Sequence, residues 1–172
     1  LFLFTIGHVQ SYISQARKTV DLYAGSKILS DLIGEGINKL KNLHKNVNII
    51  FPNESNDSKP NRFIAKVENI SKEEIKTIGN ELEKHTRNYF SDEMSKTIIR
   101  NINGTIDKTM MNQLNSFLQI NWVAKELKDY KIDYSETEKL LGSIKNLRSF
   151  NQFEETGKKC SICGERNYLQ II

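Results

Sequence analysis

The run Leu1-Phe2-Leu3-Phe4-Thr5-Ile6-Gly7 constrains this chain more than any other segment. Leu1 to Phe4 and Ile6 are all apolar, with no alternation between a wet and a dry face. Such a run predicts a strand buried on both faces, in the middle of a sheet. Past Gly7 the periodicity changes. Val9, Tyr12, Ile13, Ala16, Val20 and Tyr23 repeat at three-and-four spacing, which predicts an amphipathic helix starting within a residue or two of the glycine. The first N–H groups of a helix lack intrahelical partners, and its dipole favours an anion there. Ser11, Gln15 and Lys18 share a polar strip near that end of the helix, and the sharper reading of the junction is a nucleotide pocket beside Gly7. The plainer reading of the same residues is a core helix with a solvated polar face.

Ala24-Gly25-Ser26 breaks this pattern, and Ser26 is placed to cap a second helical stretch through Ile28, Leu29, Leu32, Ile33, Ile37 and Leu40. Val47 to Phe51 reads as a short strand, Pro52 to Pro60 as turn chemistry throughout, and Arg62 to Val67 as a strand with Phe63, Ala65 and Val67 on one face. Together they predict a hairpin with a long loop. Ser71-Lys72-Glu73-Glu74 is a capping box that opens a helix to about Ile99, lined by Ile75, Ile78, Leu82, His85, Tyr89 and Phe90. After an interruption at Asn101 to Gly104, a shorter helix carries Met110, Met111 and Leu114, and Phe117 to Ala124 reads as a last strand. The order β-α-β-β-α-β predicts an α+β, ferredoxin-like domain over residues 1–127. Residues 128–172 change character. Leu140, Leu141, Ile144 and Leu147 mark a short helix, and a polar connector leads to Cys160, as at the start of a second, helical domain.

Three strings carry a family resemblance: Ile6-Gly7-His8-Val9-Gln10-Ser11-Tyr12-Ile13, Ala16-Arg17-Lys18-Thr19 and Asp21-Leu22-Tyr23-Ala24-Gly25-Ser26. They resemble the first palm domain of the large, polymerase-like subunit of type III CRISPR effector complexes, most closely the Cmr-type (III-B) version. Members usually read Gly-Pro-Val-Gln and Asp-Leu-Trp, where this chain has His8 and Tyr23. Pro60-Asn61-Arg62-Phe63, Gln119-Ile120-Asn121-Trp122-Val123 and Cys160-Ser161-Ile162-Cys163-Gly164-Glu165-Arg166 follow in the expected order. The resemblance implies a protein with two facing palms, of which only the second holds Gly-Gly-Asp-Asp and catalytic magnesium or manganese. It implies that ATP binds between them and is converted to cyclic oligoadenylate in antiviral defence. It also implies partnership with the other effector subunits, crRNA and target RNA. Gly7, His8, Val9, Ser11 and Gln15 would be nucleotide contacts on the first palm's wall. The alternative is a scaffold palm that docks its twin without touching nucleotide.

The residues themselves offer no catalytic group. Two-metal phosphoryl transfer needs clustered carboxylates holding two cations about 4 Å apart. The first strand ends Thr5-Ile6-Gly7 without an acid, and the hairpin loop offers only Glu54 and Asp57. Cys160-x-x-Cys163-Gly164 is half of a zinc knuckle, because tetrahedral structural zinc takes four ligands. A single such pair also fits a redox site. The glycine after the second cysteine, together with the resemblance, favours zinc. His8, His44 and His85 lie in distant elements and read as ordinary histidines. No His-Asp pair, Walker loop or nucleophile elbow is present.

At 172 residues and a net charge of +4, the chain has neither a basic arm nor a run long enough to cross a membrane. Two cysteines close in sequence do not make a disulfide framework. The expectation is a cytoplasmic piece of a larger protein.

Overall fold

The computed structural model describes residues 1–7, 16, 18–101, 108–147, 158–161 and 164, without the side chains of 98–101. Four strands form one antiparallel sheet: β1 (Phe2–Gly7), β2 (Val47–Phe51), β3 (Arg62–Val67) and β4 (Gln119–Ala124), in the order β2-β3-β1-β4. The four described helices are α1 (Thr19–Leu43), α2 (Lys72–Asn101), α3 (Lys108–Phe117) and α4 (Tyr130–Asn146). The fold is α+β, as the sequence predicts, and β1 is a central strand whose residues Leu1 to Ile6 are all buried.

The period-two geometry of β1 divides its side chains between two cores. Phe2, Phe4 and Ile6 face α1 and α2, and meet Phe63, Ala65 and Ile120 from the neighbouring strands, with Leu32, Ile33, Ile37 and Leu40 of α1 and Ile78, Leu82 and Phe90 of α2. Aromatic rings run through this layer. Phe4 stacks on Phe63 at 5.2 Å between centroids, and Phe2 stacks on Trp122 at 5.8 Å. Trp122 presses so closely on α2 that a Cβ at Gly79 would lie 2.4–2.6 Å from its ring atoms, so only glycine fits there. Leu1, Leu3, Ile64 and Val123 face the other way and are covered by Leu141 of α4, with Leu127, Tyr134 and Ile144 at the margin.

Three expectations about helices are corrected. Lys18 is the N-cap of α1, with an extended backbone (φ −132°, ψ 155°), so no helix runs unbroken from Val9 to Tyr23. Val20 and Tyr23, assigned to a buried stripe, are 63% and 71% exposed, because the first turns of α1 meet none of the described core and burial begins at Gly25. The expected break at Ala24-Gly25-Ser26 is absent. α1 passes through it, since the roughly 1 kcal/mol propensity cost of an internal glycine is small beside the apolar face that follows.

The hairpin forms as expected, with a register irregularity between Ile49 and Phe51. The last strand starts at Gln119; Phe117 belongs instead to α3, where it stacks on Phe90 at 5.6 Å. His85, expected in the apolar stripe of α2, is only half-buried. It meets Glu35 of α1 at 2.8 Å. Ser71 and Glu74 form the expected capping box, each side chain accepting the other's backbone N–H, at 3.2 Å and 2.8 Å.

Candidate functional site

The end of the sheet at Gly7 is assembled from three strands. Gly7 pairs with Gln119, the first residue of β4. On its other side β1 is held by Asn61, just ahead of β3. The Asn61 amide donates to the Ile6 carbonyl at 3.0 Å, while the Asn61 carbonyl accepts from the Ile6 N–H at 2.9 Å and the Thr5 hydroxyl at 3.3 Å. Gly7 is thus a strand residue paired with β4, and its φ lies outside the left-handed region. An added Cβ would stand 3.1 Å from Gln119 Cβ and 3.3 Å from its Oε1, so the glycine allows β1 and β4 to close together.

Of the residues singled out for nucleotide, His8, Val9, Ser11 and Gln15 lie outside the described residues; Gly7 alone is placed. The described helix start nearest in sequence is that of α1. There the Asp21 carboxylate accepts the Lys18 N–H at 3.0 Å, placing a negative charge at the positive end of the helix.

The hairpin loop lies back along α1. The Ser30 hydroxyl accepts the Lys59 N–H at 2.8 Å and donates to the Asp57 carbonyl at 3.3 Å. Lys41 pairs with Glu54, and Asn53 Oδ1 accepts both the N–H and the hydroxyl of Ser55. Glu54 is therefore held by its carboxylate, and Asp57 by its backbone carbonyl, at separate points on the helix. Among the described residues no three His, Cys, Asp or Glu side chains are grouped to hold a metal ion. His44 Nε2 contacts the Glu68 carbonyl at 2.7 Å.

Near the chain's end Cys160 is half-buried, and the Gly164 N–H donates to its carbonyl at 2.9 Å. Gly164 has φ +68°, the left-handed conformation that glycine adopts without strain. Cys160 and Gly164 are thus joined by a backbone hydrogen bond, while Ile162 and Cys163 lie outside the described residues.

A polar network under α4 has no counterpart in the sequence reading. The Asp133 carboxylate accepts from Lys125 Nζ at 2.5 Å, Lys128 N–H at 2.7 Å and Asp129 N–H at 2.8 Å, with its side chain only 8% exposed. Lys125 also pairs with Glu136. The Lys125 ammonium, then the two backbone N–H groups, hold the Asp133 carboxyl down at about 2. Across the helix, Glu138 Oε1 accepts from Arg62 Nη1 at 2.9 Å and the Tyr134 hydroxyl at 2.8 Å, and that bond, followed by burial, raises the tyrosine's pKa. Arg62 and Asn61 stand in the Pro60-Asn61-Arg62-Phe63 string, but nothing in their spacing reveals partners 76 and 55 residues away.

No described helix is long and apolar enough to cross a membrane. No curated protein matches the chain to a significant degree. Residues 1–112 match the family model described as CRISPR-associated protein Cmr2, N-terminal. That match spans well over half of the chain, which therefore belongs to this family, the Cmr-type large subunit of type III CRISPR effectors.

Proposed function

We propose that residues 1–127 are a ferredoxin-like, non-catalytic palm forming one wall of an ATP pocket. A second palm of the same protein would complete the pocket and carry out cyclic oligoadenylate synthesis. The sheet order β2-β3-β1-β4 with α1 and α2 on one face is compatible with that topology. The observation that carries the reading is the position of Gly7, the last residue of a central strand, paired with Gln119 and preceded by Ile6, which Asn61 holds. A wall built this way would leave the chemistry to the opposite palm. Gly7, His8, Val9, Ser11 and Gln15 remain its nucleotide contacts in this proposal.

The scaffold alternative is favoured by one feature. The absence of a side chain at Gly7 is accounted for by Gln119, with no nucleotide required. ATP affinity in the two-palm protein separates the two readings. Ser11→Ala and Gln15→Ala should each weaken binding a few-fold to about tenfold, the worth of one neutral hydrogen bond, at unchanged melting temperature. Normal affinity in both variants leaves the scaffold reading standing.

Residues 128–172 would lead into a helical, zinc-binding domain. The donor chemistry fits: Cys160 and Cys163 would be two thiolate ligands, and the left-handed Gly164 bonded to the Cys160 carbonyl supports the reading. Zinc would supply folding energy there rather than catalysis. Operation in the cytoplasm within an effector complex containing crRNA and target RNA belongs to the same proposal.

A further inference from the structure

The last rung between β1 and β3 is closed by a side chain. The paired register runs from Phe2↔Ala65 to Thr5↔Arg62, and the next step brings Ile6 opposite Asn61. A bonded antiparallel pair exchanges two backbone N–H···O=C bonds. Here the Ile6 N–H donates to the Asn61 carbonyl at 2.9 Å, but the return bond to the Ile6 carbonyl comes from the Asn61 carboxamide, Nδ2 at 3.0 Å. The buried Thr5 hydroxyl donates to the same Asn61 carbonyl at 3.3 Å. Bonds from two residues at the end of β1 thus converge on Asn61. Asn61 itself follows a fixed point: the buried Ser30 hydroxyl of α1 accepts the Lys59 N–H at 2.8 Å, and Pro60 confines its own φ to a narrow range.

The side-chain bond bears directly on Gly7. The Ile6 carbonyl belongs to the peptide plane that ends at the Gly7 nitrogen, so a donor on that oxygen orients the whole plane. Across this trans peptide the Gly7 N–H is turned toward β4, where Gln119 is the partner of Gly7. The plane is therefore held from the hairpin on one side and from the last strand on the other. We propose, resting on the reading of Gly7 as part of an ATP wall, that Asn61 is a positioning residue for that wall. Its carboxamide fixes the Ile6–Gly7 peptide, and with it the direction in which the backbone meets the nucleotide. Asn61 touches no nucleotide in this arrangement and acts only through Gly7. A side-chain donor suits that task, because the chain before β3 can turn away toward Pro60 and α1 while the last carbonyl of β1 stays bound.

Asn61→Asp isolates the side-chain bond. It replaces the Nδ2 donor by a carboxylate and leaves the backbone carbonyl to accept from Ile6 and Thr5. The assay is cyclic oligoadenylate synthesis by the assembled effector, with KM and kcat measured as ATP is varied. In Asn61→Asp the KM for ATP should rise about tenfold, while kcat at saturating ATP changes by less than about twofold. Leu141→Ala controls for lost stability, since it opens the core under α4 and packs on Leu3 rather than at Gly7. Assayed well below both melting temperatures, it should leave the KM for ATP unchanged. An unchanged KM in Asn61→Asp, or an equal rise in Leu141→Ala, would overturn the role of Asn61. Ser11→Ala and Gln15→Ala in the same assay separate the two failures. A raised KM in those two alone keeps the wall and removes Asn61 from it; normal values throughout, or no synthesis by the unsubstituted effector, remove the wall as well.

Discussion

The two faces of the sheet are closed by different means. Toward α1 and α2, Phe2, Phe4, Phe63 and Ile120 join a large apolar cluster with Trp122 packed on its edge, and the helices hold mainly by burial, with the Glu35–His85 contact between them. Toward α4, only Leu1, Leu3, Ile64, Val123 and Leu141 form a core, and charged clasps flank it: Asp133 with Lys125 on one side, Glu138 with Arg62 on the other. Apolar burial is insensitive to pH and largely to salt, whereas a carboxylate clasp depends on ionisation. The first face should therefore set the global stability of the domain, and the second should set how firmly α4 stays docked.

Substitutions on each face test that division. The largest loss should come from Phe63→Ala, which removes a fully buried ring from between Phe2 and Phe4 and should cost about 3–5 kcal/mol by chemical denaturation. Leu141→Ala, on the smaller core, should cost about 2–3 kcal/mol, at the low end for a buried leucine because fewer neighbours surround it. If Leu141→Ala proves as damaging as Phe63→Ala, the two faces form one cooperative core and the distinction fails.

Gly79→Ala sharpens the argument by its sign. Alanine should gain about 1 kcal/mol from helix propensity. Its Cβ, however, meets the Trp122 ring at 2.4–2.6 Å, and the overpacking should cost about 1–3 kcal/mol, with altered Trp122 emission. A stabilised variant with unchanged emission would show that the ring yields freely.

Acid should act on the α4 face first. Asp133 has a carboxyl pKa lowered from 3.8 to about 2, so its contribution is fully present above about pH 4 and is lost as the pH falls toward 2. Asp133→Asn should flatten that part of the stability–pH curve while leaving the Phe63 side unaffected; a parallel curve would assign the acid sensitivity elsewhere. Arg62→Ala breaks a half-exposed pair and should cost no more than about 1 kcal/mol. Smallest of all, Tyr23→Ser on the exposed start of α1 should change stability by less than about 0.5 kcal/mol.

Legibility in the sequence followed the range of the interactions. The buried central strand, the hairpin and the capping box at Ser71 were all readable, because each is written within a few residues. The site was less so. Gly7 was singled out correctly as the end of β1, but its need for a small side chain comes from Gln119, which is 112 positions away and joins it only through the β1–β4 ladder. Asn61 was quoted without a role, since its partners Ile6 and Thr5 lie across the sheet.

By itself the sequence determined the order of strands and helices, though not their limits at Lys18, Gly25 and Phe117, together with the family, whose strings are local. Only the tertiary structure decided which faces those elements bury. Val20 and Tyr23 have the spacing of core residues but no described core to enter, and α1 continues through Gly25 because the apolar residues beyond it are anchored on the sheet. In α4 the adjacent leucines have different fates: Leu141 settles on Leu3 and Ile64 while Leu140 stays 47% exposed. Periodicity states that a face is apolar. What covers that face is fixed by contacts between residues far apart in the chain, which no local pattern encodes.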